Sequence, residues 1–431
     1  MTSSTAGLKA RLVKGGLGSL GARIAQAGLG LLISIALARI LGPEGVGSYG
    51  TTIAILAIVI IPMQAGVARL TIREAARKES QADWSGLSGL LSWINWATIA
   101  FTIACFAALV GLGEAARAWS SSWLQVVALG FAAAPLMAIG YVHAGVLTGL
   151  KKVVRGQSFE VGRNALMLVS LIVLPLVVSE ISVLHAIAAF ALANLGAGLL
   201  SVILTRRALP AEVKQVENGR QTEGYFRQVV PFAMMGGIWT LISSMDIIAL
   251  GYFSSSSEVG YFHIANQVCS LLLFGLTAIG LVASPYFASL HSSGDMNALQ
   301  ILARRSAQAS LLFAGAGAAF LWASSAFLVP LVFGAEFAPS VWPISILAIG
   351  FVVQSSTGAS AAMLAMTGHE QKTIRSTLIA LACKVVALLL LVPSLGAVGV
   401  AVAVVTYFVV FNILVRRACL SALGIEVFAL K

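Results

Sequence analysis

In a chain as apolar as this one, the side chains able to do chemistry are few enough to name. Ser19, Arg23, Gln26, Gly30 and Ser34 recur every three or four residues, a spacing that sets them on one face of a helix. An ionised side chain at the centre of a bilayer costs about 2.5 to 3.5 kcal/mol on insertion scales, so such a face turns to a wet cavity or a partner. Arg23 lies roughly 16 Å into its apolar run at 1.5 Å per residue. There its guanidinium can hold a phosphate or diphosphate bidentately, which a lysine meets only as a point charge. If the membrane portion starts later, the same arginine is merely interfacial.

The carboxyl-terminal half offers a second set. Trp239, Ser243 and Asp246 share one helical face, and His263, Asn266, Gln267 and Ser270 share another. Asn266 and Gln267, with Ser19, Arg23, Gln26 and Ser34, are the expected binding residues. Asp246 has two readings of equal weight: it accepts a coupling proton or cation, or it forms a structural ion pair with Lys384. His263 reads first as a packing histidine. Glu160 and Arg163 are spaced to pair within one helix, and Gln354 with the hydroxyls of Ser355, Ser356, Thr357 and Ser360 reads as a loosened, cavity-lining portion of the tenth helix or, for most of them, as close-packing groups. No His/Cys/carboxylate cluster has metal-ligand spacing, and no glycine-rich loop has the phosphate-cradling pattern. The expectation is no metal, no cofactor, no catalytic residue and no enzyme.

These residues need helices to position them. Of the 431 residues 59% are hydrophobic and 10% charged, against roughly 45–50% and 25% in soluble domains. Runs such as Ile53 to Ile61 and Val385 to Val392 are apolar throughout, which excludes the alternation of a membrane barrel. About 20 apolar residues cross a bilayer, and the runs place twelve helices near 12–41, 47–70, 87–113, 123–150, 158–179, 181–205, 229–253, 258–289, 303–333, 338–366, 373–393 and 396–415. The fold class is therefore all-α and membrane-integral, with kinks expected at Pro62, Pro135 and Pro285. The first apolar run carries Arg23 and ends in Gly-Pro-Glu-Gly, so no cleaved signal peptide is expected. Cys105, Cys269, Cys383 and Cys419 have no framework spacing and read as packing residues.

Formal charge is +11, which location assigns to topology rather than to nucleic acid. The basic residues cluster in alternate connections: Lys9 to Lys14, Arg69 to Lys78, Lys151 to Arg155, Arg206 to Arg227, Arg304 and Arg305, Lys372 and Arg375, and Arg416 onward. The opposite loops hold only Arg39 and Arg117. Positive charge marks cytoplasmic loops, so both termini are expected in the cytoplasm. The longest polar connection divides a lobe at 1–205 from a lobe at 229–431, with a linker at 206–228. Val46-Gly47-Ser48-Tyr49 echoes Val259-Gly260-Tyr261-Phe262 at an offset of 213, and Arg206-Arg207 echoes Arg416-Arg417 at 210. Six helices per repeat is an even number, so a pseudo-two-fold axis along the membrane normal relates the lobes, with a central cavity between them.

Ala38-Arg39-Ile40-Leu41-Gly42-Pro43-Glu44-Gly45-Val46-Gly47-Ser48-Tyr49 resembles a signature of polysaccharide-type flippases (the O-antigen class) in the multidrug, oligosaccharidyl-lipid and polysaccharide exporter superfamily. The basic end of the second helix, the Gly149-to-Arg155 loop, and Asp246 followed by Glu258 to Tyr261 support the likeness. It implies transfer of an isoprenoid-diphosphate-linked oligosaccharide across the cytoplasmic (inner) membrane by alternating access, for cell-surface polysaccharide. The partners it implies are that lipid, membrane lipids, a coupling proton or sodium ion, and polysaccharide assembly proteins. A cation-coupled multidrug antiporter of the same superfamily is the alternative, disfavoured because the amino-terminal lobe has a deep arginine and no deep acid. A non-transporting scaffold is a third reading, and it would not need the polar stripe.

Overall fold

The computed structural model describes residues 2–116, 121–215 and 224–429, with side chains for all of these but 2–17, 19–20, 112–116, 121–127, 129–130 and 214–215. Ser19 and Arg117 therefore fall outside the described residues. Among the described residues there is helix and no strand. Ten helices among the described residues are long and apolar enough to cross a membrane. Two of these are double. The helix Thr2–Val59 is interrupted at Gly42 (φ 65°), and Glu370–Leu423 at Gly396 (φ 53°), both in the left-handed region that favours glycine. The result is twelve spans.

They are α1 (2–41), α2 (43–80), α3 (Trp84–Ala116), α4 (Ser121–Gly149), α5 (Val153–Val177), α6 (Val183–Ala208), α7 (Tyr225–Phe253), α8 (256–292), α9 (Met296–Phe333), α10 (341–366), α11 (370–395) and α12 (397–423). Leu176, Leu312 and Phe327 are 83%, 75% and 70% exposed on these helices, an arrangement that suits lipid and not water. This is a multi-pass membrane protein.

Several spans are less regular than their apolar runs suggest. A π-helical turn, Pro62–Val67, interrupts α2 where a kink was expected, whereas the helices run on through Pro135 and Pro285. α8 breaks between Ser270 and Leu273, and α10 between Ser355 and Ser360. In that second break Gly358 has φ +56°, and a Cβ there would lie 2.6 Å from Ala307 Cα. The linker holds a five-residue helix, Ala211–Gln215.

The chain forms two compact units, Met1–Leu41 with Ser48–Met245, and Gly42–Gly47 with Asp246–Lys431. The division falls inside α7 rather than in the 206–228 connection. The reason lies in small residues. A Cβ on Gly66 would meet Val229 Cγ1 at 2.7 Å, and one on Gly236 would meet Ala65 Cβ at 2.6 Å, so the first part of α7 lies against α2 with backbones close.

Within the second unit the 213-residue echo becomes a contact. A Cβ on Gly47 would stand 1.7 Å from the Ser256 carbonyl oxygen, and one on Gly260 would stand 2.1 Å from the Pro43 carbonyl oxygen. Adding 213 to 43 and 47 gives 256 and 260, so the two approaches are the same contact made in both directions. Two segments that echo each other in sequence thus close on each other within one unit. Glu258 fixes the neighbouring turn, its Oε2 accepting from the Ala397 amide at 2.7 Å just after Gly396.

At the basic end of the first unit, Glu74 is 1% exposed and lies between Arg73 at 2.9 Å and Arg77 at 2.7 Å. Asp83 starts α3. Its Oδ1 accepts from the Gly86 amide at 2.8 Å and from Ser85 at 3.0 Å, and Lys78 Nζ stands 3.2 Å from Oδ2. The Gly86 hydrogen bond, helped by Lys78 and Ser85 and opposed by partial burial, holds this carboxyl below its ordinary value. A depressed carboxylate adds stability above its unfolded pKa, about 3.9, and loses it as pH falls through the lower folded value. Thermal unfolding between about pH 6 and pH 3 is therefore expected to favour the parent over Asp83→Asn at the neutral end. The difference should narrow toward the acid end.

Candidate functional site

Among the described residues, each unit holds a polar cluster in its interior. In the first unit a cavity of about 290 Å³ is lined by Gln64, Arg69, Tyr141, Gln157, Glu160 and Thr240, among others. The walls meet through glycine. Cβ atoms on Gly145 and Gly149 would lie 2.8 Å from the carbonyl oxygens of Ala68 and Ile72, and one on Gly156 would lie 2.8 Å from that of Ala144. Such close backbones bring α2, α4 and α5 together while their longer polar side chains project into the space that remains. Gln64 belongs to the π-helical turn, a distortion found frequently at functional positions. Gly236 leaves room for Arg69, whose Cζ would lie 3.0 Å from a Cβ there.

Gln26 Nε2 donates to Glu160 Oε2 at 2.7 Å. Arg163 Nη1 donates to Tyr141 Oη at 3.1 Å, Tyr141 packs edge-on to Phe159 at 5.1 Å, and the Arg163 guanidinium lies over Phe159 at 5.8 Å. Glu160 and Arg163 interact as charges within α5, and each also takes a hydrogen-bond partner outside it, on α1 and on α4. A cationic group, two amides, a phenol and a carboxylate together can bind a polar, charged group inside an apolar bundle. Arg23, the arginine singled out by depth, is exposed on α1, and Ser34 is buried. Arg69 is the arginine on this cavity's wall. Its signal was present, a basic residue at the end of an apolar run, but it reads equally as topology charge.

In the second unit Lys384 Nζ lies 2.8 Å from both carboxylate oxygens of Asp246. The residues are 2% and 6% exposed, and Lys384 Nζ stands 5.7 Å from the centre of the Tyr407 ring. Asp246 does not share a surface with Trp239 and Ser243, which are exposed. A buried carboxylate needs a counter-charge, and turning into the unit supplies it. On α8 Asn266 is exposed and Gln267 half-buried. Nearby polar groups satisfy one another across the α10 break: Asn412 donates to Gln354 at 2.8 Å and accepts from Thr357.

A family model described as polysaccharide biosynthesis protein matches residues 12–291. The chain belongs to the polysaccharide biosynthesis protein family. That match covers well over half of the chain, from α1 through α8, and includes the loop at 38–49 and the whole cavity of the first unit. A curated relative of this polysaccharide biosynthesis protein is a probable low-salt glycan biosynthesis flippase, Agl15, of Haloferax volcanii, 24% identical over 198 residues. The match spans 46% of this chain and 41% of that relative. Among solved structures, an inward-facing multidrug resistance MATE family transporter of the MOP superfamily aligns with TM-score 0.79 at 16% identity, covering 93% of this chain and 95% of that one. The lipid II flippase MurJ, in an inward closed conformation, aligns with TM-score 0.73 at 11% identity, over 93% and 87%. These likenesses establish a transporter fold for the polysaccharide biosynthesis protein.

Proposed function

We propose that the protein is a flippase that carries an isoprenoid-diphosphate-linked oligosaccharide across the cytoplasmic membrane by alternating access, with both termini in the cytoplasm. The observation that carries this reading is the Arg69, Gln64, Tyr141 and Glu160 cavity in a membrane-embedded unit of a polysaccharide biosynthesis protein. An arginine suits the diphosphate, and amides and hydroxyls suit sugar hydroxyls. Arg23, Ser19, Gln26 and Ser34 are further binding residues of the first unit in this proposal, and Asn266 and Gln267 are binding residues of the second. Asp246 and Lys384 serve either ion coupling, by proton or sodium, or structure alone. Polysaccharide assembly proteins would receive the product.

The test is transfer of a fluorescent isoprenoid-diphosphate oligosaccharide in vesicles holding the purified protein. Arg69→Ala is expected to raise the concentration needed for half-maximal flipping by about 10- to 100-fold, the worth of one lost charge-assisted hydrogen-bonding group. Arg23→Ala is expected to have a smaller effect of the same sign. If folded parent protein moved none of these lipids and instead exported organic cations down an ion gradient, the antiporter reading would replace this one.

A further inference from the structure

Each unit has a groove with an arginine beside it. In the second unit residues beyond α12 fold back among α9, α10 and α12, with Ile425 and Val427 buried. Gln300 bonds both backbone groups of Glu426, its Oε1 accepting from the amide at 2.9 Å and its Nε2 donating to the carbonyl. Gln308 donates to the Ala429 carbonyl at 3.4 Å, and the Ala429 amide donates to Ser356 O at 3.2 Å. At the mouth Arg416 clamps the Glu426 carboxylate through two bonds of 2.8 and 2.7 Å. An apolar segment fills the groove, and an arginine holds its anionic group.

Arg206-Arg207 echoes Arg416-Arg417 in sequence, and Arg206 comes together with Asn95 and His143. Those three residues line one cavity of about 440 Å³ in the first unit, walled by Leu91, Ile99 and Ile139. The His143 carbonyl accepts from the Thr205 hydroxyl at 3.3 Å, so it is already used. An arginine at the mouth and an apolar wall remain, and what fits them is an apolar chain with an anionic head. A second cavity of about 370 Å³ shares Leu91, Asn95 and Ile99 and adds Ser88 and Ser92, which extends hydroxyl groups along the same face of α3.

We infer that this groove between α3, α4 and α6 binds an anionic phospholipid of the surrounding bilayer, its phosphate at Arg206, its ester region at Asn95 and His143, and an acyl chain against Leu91, Ile99 and Ile139. Basic pockets between spans on the positively charged side of a membrane protein are suited to anionic headgroups. The inference does not depend on what the protein transports.

The experiment is photo-crosslinking of the full chain in vesicles with a diazirine phosphatidylglycerol, followed by mapping of the labelled peptides. Labelling is expected in α3, α4 and α6, and to be competed by unlabelled phosphatidylglycerol. Arg206→Gln should reduce it about five-fold, the worth of one basic residue against an anionic surface, whereas Arg206→Lys should stay within about two-fold of the parent. The lysine variant separates loss of charge from loss of fold. Ile139→Trp, which fills the cavity, should also reduce labelling. Equal labelling by a phosphatidylcholine probe, or no change in Arg206→Gln, would overturn the inference. So would displacement by an isoprenoid phosphate and not by phospholipid, since that would give the groove to the transported lipid.

Discussion

Lys384→Met is expected to destabilise the protein by roughly 3–5 kcal/mol, because it leaves the Asp246 carboxylate buried without its counter-charge. Both partners are almost wholly buried, and both carboxylate oxygens lie 2.8 Å from the ammonium. Removing both charges is a different experiment from removing one. Asp246→Asn with Lys384→Met should recover most of the loss, since apolar or neutral replacements of a buried pair are often nearly neutral. Thermal unfolding of the purified variants in lipid discs measures both effects. A single variant as stable as the parent would show that the site hydrates or relaxes when one charge is lost. The double variant also separates the two roles of the pair. If it folds and flips substrate without responding to an imposed ion gradient, the pair couples transport to ions. If the gradient still drives flipping, the pair is structural.

Gly47→Ala and Gly260→Ala form the second large prediction. Each new Cβ would be aimed at a backbone carbonyl oxygen, at 1.7 Å and 2.1 Å, and backbone cannot move aside as a flexible side chain can. Overpacking costs about 1–3 kcal/mol and occasionally more, and these positions belong at the upper end. Folded yield and melting temperature should fall in both variants. Because the two glycines serve one reciprocal contact, the double variant should lose less than the sum of the singles. Gly21→Ala, where a Cβ meets nothing within 4 Å, is the control expected to behave like the parent.

Much of the architecture was legible because the signals are local and repeated. Runs of about 20 apolar residues give spans directly, and the offset of 213 between the Val46 and Val259 segments pointed to repeats before their contact was visible. Asp246 and Lys384 stood out because two lone opposite charges in apolar helices have strong reason to meet. The cavity of the first unit was harder to read. Its wall depends on Gly145, Gly149 and Gly156, whose role is to leave space, and space leaves no pattern in a helical wheel. Arg69 was hidden among the basic residues that mark topology, whereas Arg23, isolated in its run, drew attention yet lies exposed. Glu160 also reaches Gln26 on another helix, a hydrogen bond that i, i+3 spacing alone could not reveal.

The π-helical turn at Pro62–Val67 has a consequence for descent. Such a turn is one residue more than an α-helix needs, so it is the mark of an insertion and not of a substitution. Each residue of an α-helix turns the chain by about 100°. Deleting one residue between Pro62 and Val67 would therefore leave the sequence of Arg69, Arg73 and Arg77 intact while rotating that stripe against the segment before it. Arg69 would leave the cavity wall with its identity unchanged. Relatives that lack the extra residue would present a different side chain to the cavity, and a change in what they bind would be traced to the length of α2 before any single amino acid in it.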